Sequence, residues 1–288
     1  MRVTLASLIL GAGVISAQSL LGLPLDIEAL LSSLMPAGAN DPRFADFHPP
    51  GSGDGMSSLA NHGFIHRDGK KMTIPHLIKG LAEGLNMGAD FTVAPNPLGG
   101  SFDLDDLNTH NFPIEHDASM SRQDAALGNA QPFYNPNWQQ YISFFDGKTT
   151  TDIPTASKAK FARYQDSLAK NPDFTYGVRE AVLSYGENTL YLQTLSDPVS
   201  GKANVEYVKT LFEQEKLPCE LGWRPSAAPI TLASIGVMVA ELNGASPEPI
   251  PEGLEIFTDS YKDVLVAVVG GSRILANLTE GISSALGL

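Results

Sequence analysis

Two acidic residues lie where their neighbours suit them to chemistry, and the first is Glu115. Residues 115–119 read Glu-His-Asp-Ala-Ser and follow a Pro-containing loop. The Glu115 carboxylate, a backbone carbonyl and the Ser119 hydroxyl are oxygen ligands of the kind that hard cations take. Water or a cofactor carboxylate would complete such a site, and His116 beside it can titrate near neutral pH. The alternative is a polar helix entrance, with acidic residues in the first turn and Ser119 as its cap.

The second acidic residue, Glu187, lies in the longest apolar-periodic stretch of the chain, residues 178–195. Its neighbours one helical turn away are apolar, namely Leu183, Leu190 and Tyr191. A carboxylate among apolar groups is desolvated, which raises its pKa and suits it to general acid–base catalysis. Gly186 costs about 1 kcal/mol in a helix interior relative to Ala, which predicts that another group packs closely there. The alternative is a surface glutamate on the other side of the helix.

Two histidines, His62 and His66, stand four residues apart and could share a metal ion if one helix spanned both. Gly63 lies between them and is expected to end a short helix. We therefore predict that these histidines are structural hydrogen-bond donors.

The elements that position these residues are predicted to be mainly α-helical, with long loops and few strands. A helix is expected to start at Thr73, and a short one after a cap at Ser119 or Ser121, with Asp124 in its first turn. Apolar periodicity predicts the other helices over residues 135–145, 155–170, 178–195, 204–215, 230–242 and 272–286.

The composition excludes several classes of function. The 288 residues are 43% hydrophobic, which is enough for a sizeable core, and the net charge of −13 repels nucleic-acid phosphates. No Gly-rich phosphate loop or Gly-x-Ser-x-Gly elbow is present, and a single cysteine, Cys219, rules out an internal disulfide. No segment after the N-terminus is predicted to span a membrane.

The N-terminus predicts secretion. Arg2, an apolar run and small residues at Ser16 and Ala17 are typical of a signal peptide over residues 1–17; the alternative is a buried first helix. Residues 18–45 are interpreted as a propeptide or an N-terminal helix and linker, and residues 46–288 as a single domain. The sequon at Asn277 fits a secreted glycoprotein.

Four segments, in order, resemble the haem-thiolate peroxidase family, which includes the chloroperoxidases and the short unspecific peroxygenases. Residues 58–65, Ser-Leu-Ala-Asn-His-Gly-Phe-Ile, resemble its Leu-Ala-Asn-His-Gly segment, and residues 115–119 resemble its Glu-His-Asp-x-Ser motif. Residues 185–187, Tyr-Gly-Glu, resemble the segment with the catalytic glutamate. Residues 217–223 resemble a late Leu-Pro-Tyr-x-x-Gly-Trp segment, with Cys219 at the usually aromatic position.

The resemblance implies a mainly helical single-domain fold around haem b. It implies Mg²⁺ or a similar divalent cation near a haem propionate, bound by the side chains of Glu115 and Ser119 and the carbonyl of His116. The His116 side chain would pair with Glu187, which would move the proton of hydrogen peroxide. The implied activity is peroxide-dependent oxidation or oxygenation of small organic substrates, or of halides, outside the cell.

One departure concerns the iron ligand. The family places Pro-Cys-Pro before its Leu-Ala-Asn-His segment, and that thiolate favours O–O cleavage. Here the two flanking halves abut at Asp54 and Gly55 with no cysteine between them. His48 and His62 flank the gap as substitute ligands to consider. Three hypotheses follow: an active enzyme whose sequence lacks a short segment, an inactive relative that binds a small molecule, or a secreted hydrolase that uses Glu187 and a second carboxylate.

Overall fold

The computed structural model describes residues 35–49, 58–88, 101–111, 114–249 and 251. Within these ranges the secondary structure is helical, and pairing between extended segments is limited to three isolated β-bridges. The α-helices are α1 (Ser58–Asn61), α2 (Ile74–Leu85), α3 (Asn135–Ile142), α4 (Ile153–Lys170), α5 (Val178–Leu195), α6 (Val205–Gln214) and α7 (Leu232–Gly244). The predicted mainly α fold is confirmed.

Short 3-10 turns connect several of these helices. They lie at Pro42–Phe44, Leu104–Asn108, Ala125–Leu127, Ser143–Phe145 and Cys219–Leu221. None of the helices in the described ranges is long and apolar enough to cross a membrane.

Side-chain caps fix where the long helices begin. The Thr73 hydroxyl accepts the backbone N–H of His76 at the start of α2, as the sequence predicted. The Asp152 carboxylate accepts the N–H of Thr155 at 2.8 Å and starts α4. At its other end, α2 stops at Asn86, whose left-handed backbone (φ 54°) terminates the helix.

Helix α5 is the central element of the core. It packs against α7 and α6, while α4 packs against α3 and α7. From Glu180 to Leu195 every residue of α5 is buried except Leu183, Gly186, Glu187 and Leu190. These four residues recur at helical spacing and form one half-exposed stripe on an otherwise buried helix. We call them the α5 stripe.

Aromatic residues join α3 and α6 to the central helix. Trp138 is fully buried, stacks on Phe212 with ring centroids 4.7 Å apart and donates its indole N–H to Glu213 at 2.8 Å. The Tyr141 hydroxyl donates to the Asn188 side-chain carbonyl of α5 at 2.6 Å. Both rings therefore satisfy their polar atoms while they add apolar area to the core.

A glycine allows the loop after α1 to lie against α2. A Cβ added at Gly80 would lie 2.3 Å from Ile65 Cγ2 and 2.9 Å from the Phe64 carbonyl oxygen. A side chain at this position would push the loop away, so the glycine sets the close approach of loop and helix.

A buried ion pair ties the segment after α7 to α4. Lys160 Nζ lies 2.7 Å and 2.8 Å from the two carboxylate oxygens of Glu248, and the two side chains are 2% and 1% exposed. The same ammonium donates to the Tyr176 hydroxyl at 2.8 Å and lies 3.7 Å from the centroid of the Tyr185 ring. Burial lowers the pKa of Lys160 to about 8, against the opposing effect of Glu248.

The polar helix entrance at residues 115–119 is wrong, and in place of the short helix predicted after Ser119 or Ser121 the structure has only the 3-10 turn Ala125–Leu127. Ala118 has a left-handed backbone (φ 64°), which a right-handed helix does not accommodate. The buried Asp124 carboxylate accepts the Ala118 N–H at 3.1 Å and also receives hydrogen bonds from Ser167 and Asn171 at the end of α4. Tertiary contacts hold this segment as a loop.

Several predictions fall outside the described residues. These are the signal peptide, most of the 18–45 segment, the Asp54–Gly55 junction, the Asn277 sequon and the helix predicted over residues 272–286.

Candidate active site

The structure brings the two sequence-predicted residues His116 and Glu187 together. His116 lies in the loop before Ala118, and Glu187 lies in the α5 stripe. His116 Nε2 is 3.4 Å from Glu187 Oε2, which is within ion-pair range. Nε2 has no partner in the described part that meets hydrogen-bond geometry. The contact is thus electrostatic and is made by a ring nitrogen that is shielded from solvent.

Local contacts orient the His116 ring. Its Nδ1 lies 2.5 Å from the Asp117 carbonyl oxygen. A carbonyl can only accept, so Nδ1 carries the hydrogen and Nε2 faces Glu187. Burial opposes a charge on this ring, but the Glu187 carboxylate and the Asp117 carbonyl outweigh it and raise the pKa of His116. The positive charge of Lys160 acts in the opposite direction.

Glu187 differs from its prediction in one respect. Its side chain is 37% exposed, so the expected desolvated environment is wrong. The reason is the direction of the helix face: Tyr185 and Asn188 point into the core, while the α5 stripe faces outward. The predicted neighbours Leu183 and Leu190 do flank Glu187 on this face, whereas the third, Tyr191, is buried and its hydroxyl hydrogen-bonds with that of Tyr141.

Gly186 also differs from its prediction. No atom lies within 4 Å of a Cβ built at this position, so nothing in the described part packs closely against it. The α5 stripe therefore presents one carboxylate between two leucines, with a glycine that adds no side chain. An apolar molecule with a reactive polar group can lie along such a surface.

The predicted cation ligands Glu115, His116 and Ser119 lie on one loop. Glu115 Oε2 accepts the Asn111 N–H at 2.9 Å and lies 2.8 Å from His110 Nδ1. Ser119 Oγ accepts the Ser121 N–H at 3.4 Å. No group of three or more His, Cys, Asp or Glu residues within the described ranges is arranged to hold a metal ion. A cation here would need the His116 carbonyl, the Ser119 hydroxyl and a ligand from outside the chain in addition to Glu115. The cation site therefore stays a prediction.

Two aspartates that sequence reasoning did not assign hold the loop of His116. Asp117 Oδ2 accepts the Thr175 N–H at 2.9 Å, while its buried Oδ1 has no hydrogen-bond partner in the described part. Burial raises the pKa of Asp117. Asp124 binds the loop to α4 as described above. The signal available in the sequence was three acidic residues, at positions 115, 117 and 124, in a segment without helical periodicity.

The histidines beside the ligand gap do not suit iron ligation. His62 Nδ1 lies 2.8 Å from the Arg43 carbonyl, and His62 Nε2 accepts the Leu217 N–H at 3.2 Å. Both ring nitrogens are thus used, as expected of a structural histidine. The His48 side chain is 64% exposed and pairs with Asp46 at 2.9 Å. Helix α1 ends before Gly63, so one helix does not span His62 and His66.

Cys219 does not suit iron ligation either. It is buried in the 3-10 turn Cys219–Leu221, and burial raises the pKa of its thiol to about 11. A thiol with this pKa is protonated at neutral pH, and the thiolate is the form that binds metal. The described residues therefore offer an acid–base pair but no thiolate ligand.

Comparison with known proteins gives a family match. The model of "Peroxidase, family 2" matches residues 46–228. The chain is 27% identical over 204 residues to an aromatic peroxygenase of Cyclocybe aegerita, which covers 60% of this chain and 54% of that protein. It is 24% identical over 230 residues to an aromatic peroxygenase of Coprinellus radians, covering 62% of this chain and 85% of that protein.

A chloroperoxidase of Leptoxyphium fumago is 25% identical over 233 residues, which covers 69% of this chain and 61% of that protein. The matched part of the chain spans about half the length of the Cyclocybe relative.

Proposed function

The chain belongs to peroxidase family 2, and on this premise we propose that it is a haem-dependent oxidoreductase that uses hydrogen peroxide to oxidise or oxygenate small organic molecules or halides. The observation that carries the proposal is the 3.4 Å approach of His116 Nε2 to Glu187 Oε2 on the half-exposed stripe of a buried helix. The names of the relatives, peroxygenase and chloroperoxidase, support this class of reaction.

The two residues divide the handling of one proton. Glu187 Oε2 takes a proton from hydrogen peroxide and returns it to the oxygen that leaves as water. His116 keeps its ring fixed through Nδ1 and presents Nε2 to Glu187, so that the carboxylate has a stable partner in both protonation states. Bound haem supplies the redox chemistry of O–O cleavage.

The residues fit one face of a haem and not the other. The α5 stripe, with Glu187 between two leucines and the bare Gly186, suits the face on which peroxide reacts. On the iron-ligand side, His62 is fully engaged, His48 is exposed and Cys219 is buried and protonated. We therefore propose that the family's Pro-Cys-Pro segment belongs between Asp54 and Gly55 and is missing from this sequence.

Insertion of Pro-Cys-Pro at this junction tests the proposal. The full chain, with and without the insertion, is produced with haem and studied after reduction and addition of carbon monoxide. We expect a thiolate-type Soret band and peroxide-dependent oxidation only with the insertion. The coding DNA should contain an in-frame Pro-Cys-Pro at the same point. Absence of that segment from the DNA, together with no haem binding by the insertion variant, would sink the proposal.

Glu187→Gln in the insertion variant tests the role of the carboxylate. General acid–base catalysis contributes about 10²–10⁴-fold to the rate, so kcat should fall within that range. Glu206→Gln is the matched control, since the Glu206 side chain is 68% exposed and, within the described residues, pairs only with Lys209. Equal activity of the Glu187 variant and its control would contradict the assignment.

A second function follows if the natural protein lacks the Pro-Cys-Pro cysteine. The chain would then be a non-catalytic relative that binds a small apolar molecule along the α5 stripe. The observation that favours it is the buried, protonated state of Cys219, which leaves the described residues without a thiolate. Binding of a fluorescent apolar probe that is lost in Leu190→Lys and kept in Leu168→Lys, at an exposed leucine of α4, would support it.

A divalent cation is also part of the proposal. Glu115, Ser119 and the His116 carbonyl are proposed to bind Mg²⁺ or a similar divalent cation with a haem propionate. Metal analysis of the Glu115→Gln holoprotein should then show loss of the bound cation.

We also propose cleavage after Ala17, with residues 18–45 as a propeptide or linker and a domain over residues 46–288. The protein in the culture medium should then have a defined new N-terminus. The family match that begins at residue 46 supports this division.

A further inference from the structure

A contact between two histidine rings, separate from the His116–Glu187 pair, joins the loop after α1 to helix α2. The rings of His66 and His76 lie with their centroids 4.4 Å apart and their planes tilted by 58°. His66 belongs to the loop and His76 to the first turn of α2, and both are exposed. His62, four residues before His66, takes no part in this contact, because its ring is fully engaged by Arg43 and Leu217.

Hydrogen bonding leaves a ligand lone pair on His66. Its Nδ1 lies 2.9 Å from the Lys70 carbonyl oxygen. Because a carbonyl only accepts, Nδ1 carries the hydrogen and Nε2 keeps a free lone pair. Histidines that bind metals show the same arrangement, with the other ring nitrogen donating to a carbonyl or carboxylate. The His76 ring makes no hydrogen bond within the described part of the chain.

The packing of the loop fixes the backbone that carries the two rings. Ile65, next to His66, lies against Gly80 so closely that an added Cβ would be 2.3 Å from its Cγ2. His76 is held at its backbone by the Thr73 cap. Both residues thus stand on fixed backbone, and binding would cost little ordering of the chain.

We propose that His66 and His76 together bind one late first-row divalent transition-metal ion of the class Cu²⁺, Ni²⁺ or Zn²⁺. Imidazole suits these ions, and Cu²⁺ should bind most tightly of the three. The described residues provide no third His, Cys, Asp or Glu ligand, so water completes the coordination and the affinity is modest. The proposal does not depend on the oxidoreductase function, because neither histidine belongs to the His116–Glu187 pair.

Metal titration of the full chain tests this site. Zn²⁺ binding is measured by calorimetry in excess Mg²⁺, which occupies hard-cation sites, for the wild type, His66→Gln, His76→Gln and the control His48→Gln. His48 is also an exposed histidine, with a side chain 64% exposed. Each of the first two variants should bind Zn²⁺ at least about tenfold more weakly, as loss of an outer-shell partner alone costs 10–100-fold. The control should match the wild type.

Electron paramagnetic resonance of bound Cu²⁺ provides a second readout. The wild type should show two nitrogen ligands and each single variant one. Zn²⁺ should also raise the thermal midpoint of the wild type and of His48→Gln but not of the other two. The proposal is overturned if either single variant binds Zn²⁺ as tightly as the wild type, or if the Cu²⁺ spectrum of the wild type shows one nitrogen.

Discussion

Removal of one partner from the buried Lys160–Glu248 pair is expected to destabilise the fold strongly. In Lys160→Met the apolar stem is largely kept and the charge is lost, which leaves the Glu248 carboxylate 1% exposed and without its ammonium. Breaking such a pair costs about 3–5 kcal/mol.

Urea unfolding of the wild type, Lys160→Met, a double variant and a control variant measures this loss of stability. Replacement of both partners, Lys160→Met with Glu248→Leu, should recover most of the loss, since a buried ion pair can be exchanged for apolar residues at little cost. Lys209→Met is the control, because its pair with Glu206 is solvent-exposed, with side chains 40% and 68% exposed, and should change stability by under about 0.5 kcal/mol. A deficit of Lys160→Met below about 1 kcal/mol at pH 7 would refute the reasoning.

Three further outcomes are expected. Glu187→Gln should lower the pKa of His116, because the Glu187 carboxylate raises it; NMR titration of the ring would show this, and an unchanged pKa would contradict the contact. Gly80→Ala should cost roughly 1–3 kcal/mol of unfolding free energy in urea through overpacking, whereas Gly186→Ala, with open space around it, should stabilise α5 by up to about 1 kcal/mol. The Cys219 thiol, with its pKa of about 11, should react with iodoacetamide at pH 8 at least about a hundred times more slowly in the folded than in the unfolded chain, and similar rates would show that it is not buried.

The helices could be predicted where local signals agree. Apolar periodicity predicted the bounds of α5 (Val178–Leu195) as they are found, and Thr73 caps α2 as expected. The loop of residues 115–124 could not be predicted, because Asp124 is held by Ser167 and Asn171 of α4, which are distant in the sequence. Local capping propensity lost to these tertiary hydrogen bonds.

The candidate site, too, could be predicted from the sequence only in part. Periodicity placed Leu183, Glu187 and Leu190 on one face, but it could not tell that this face is the only one of α5 left half-exposed after Glu180. That depends on which helices cover the other faces. The approach of His116 to Glu187 was suggested by the family resemblance alone, since no spacing rule joins a loop residue to a helix so far along the chain.

Under the proposed function, the α5 stripe shows which residues can be changed to alter substrate preference. Around Glu187, a substitution at Asn188 or Thr189 would disturb the buried core, because these side chains are 2% and 0% exposed. Leu183 and Leu190 stand one turn before and after the carboxylate and are only half-buried. A library restricted to these two positions would vary size and polarity on both sides of Glu187 while it leaves the packing of the central helix intact. Directed evolution of substrate preference should begin with these two leucines.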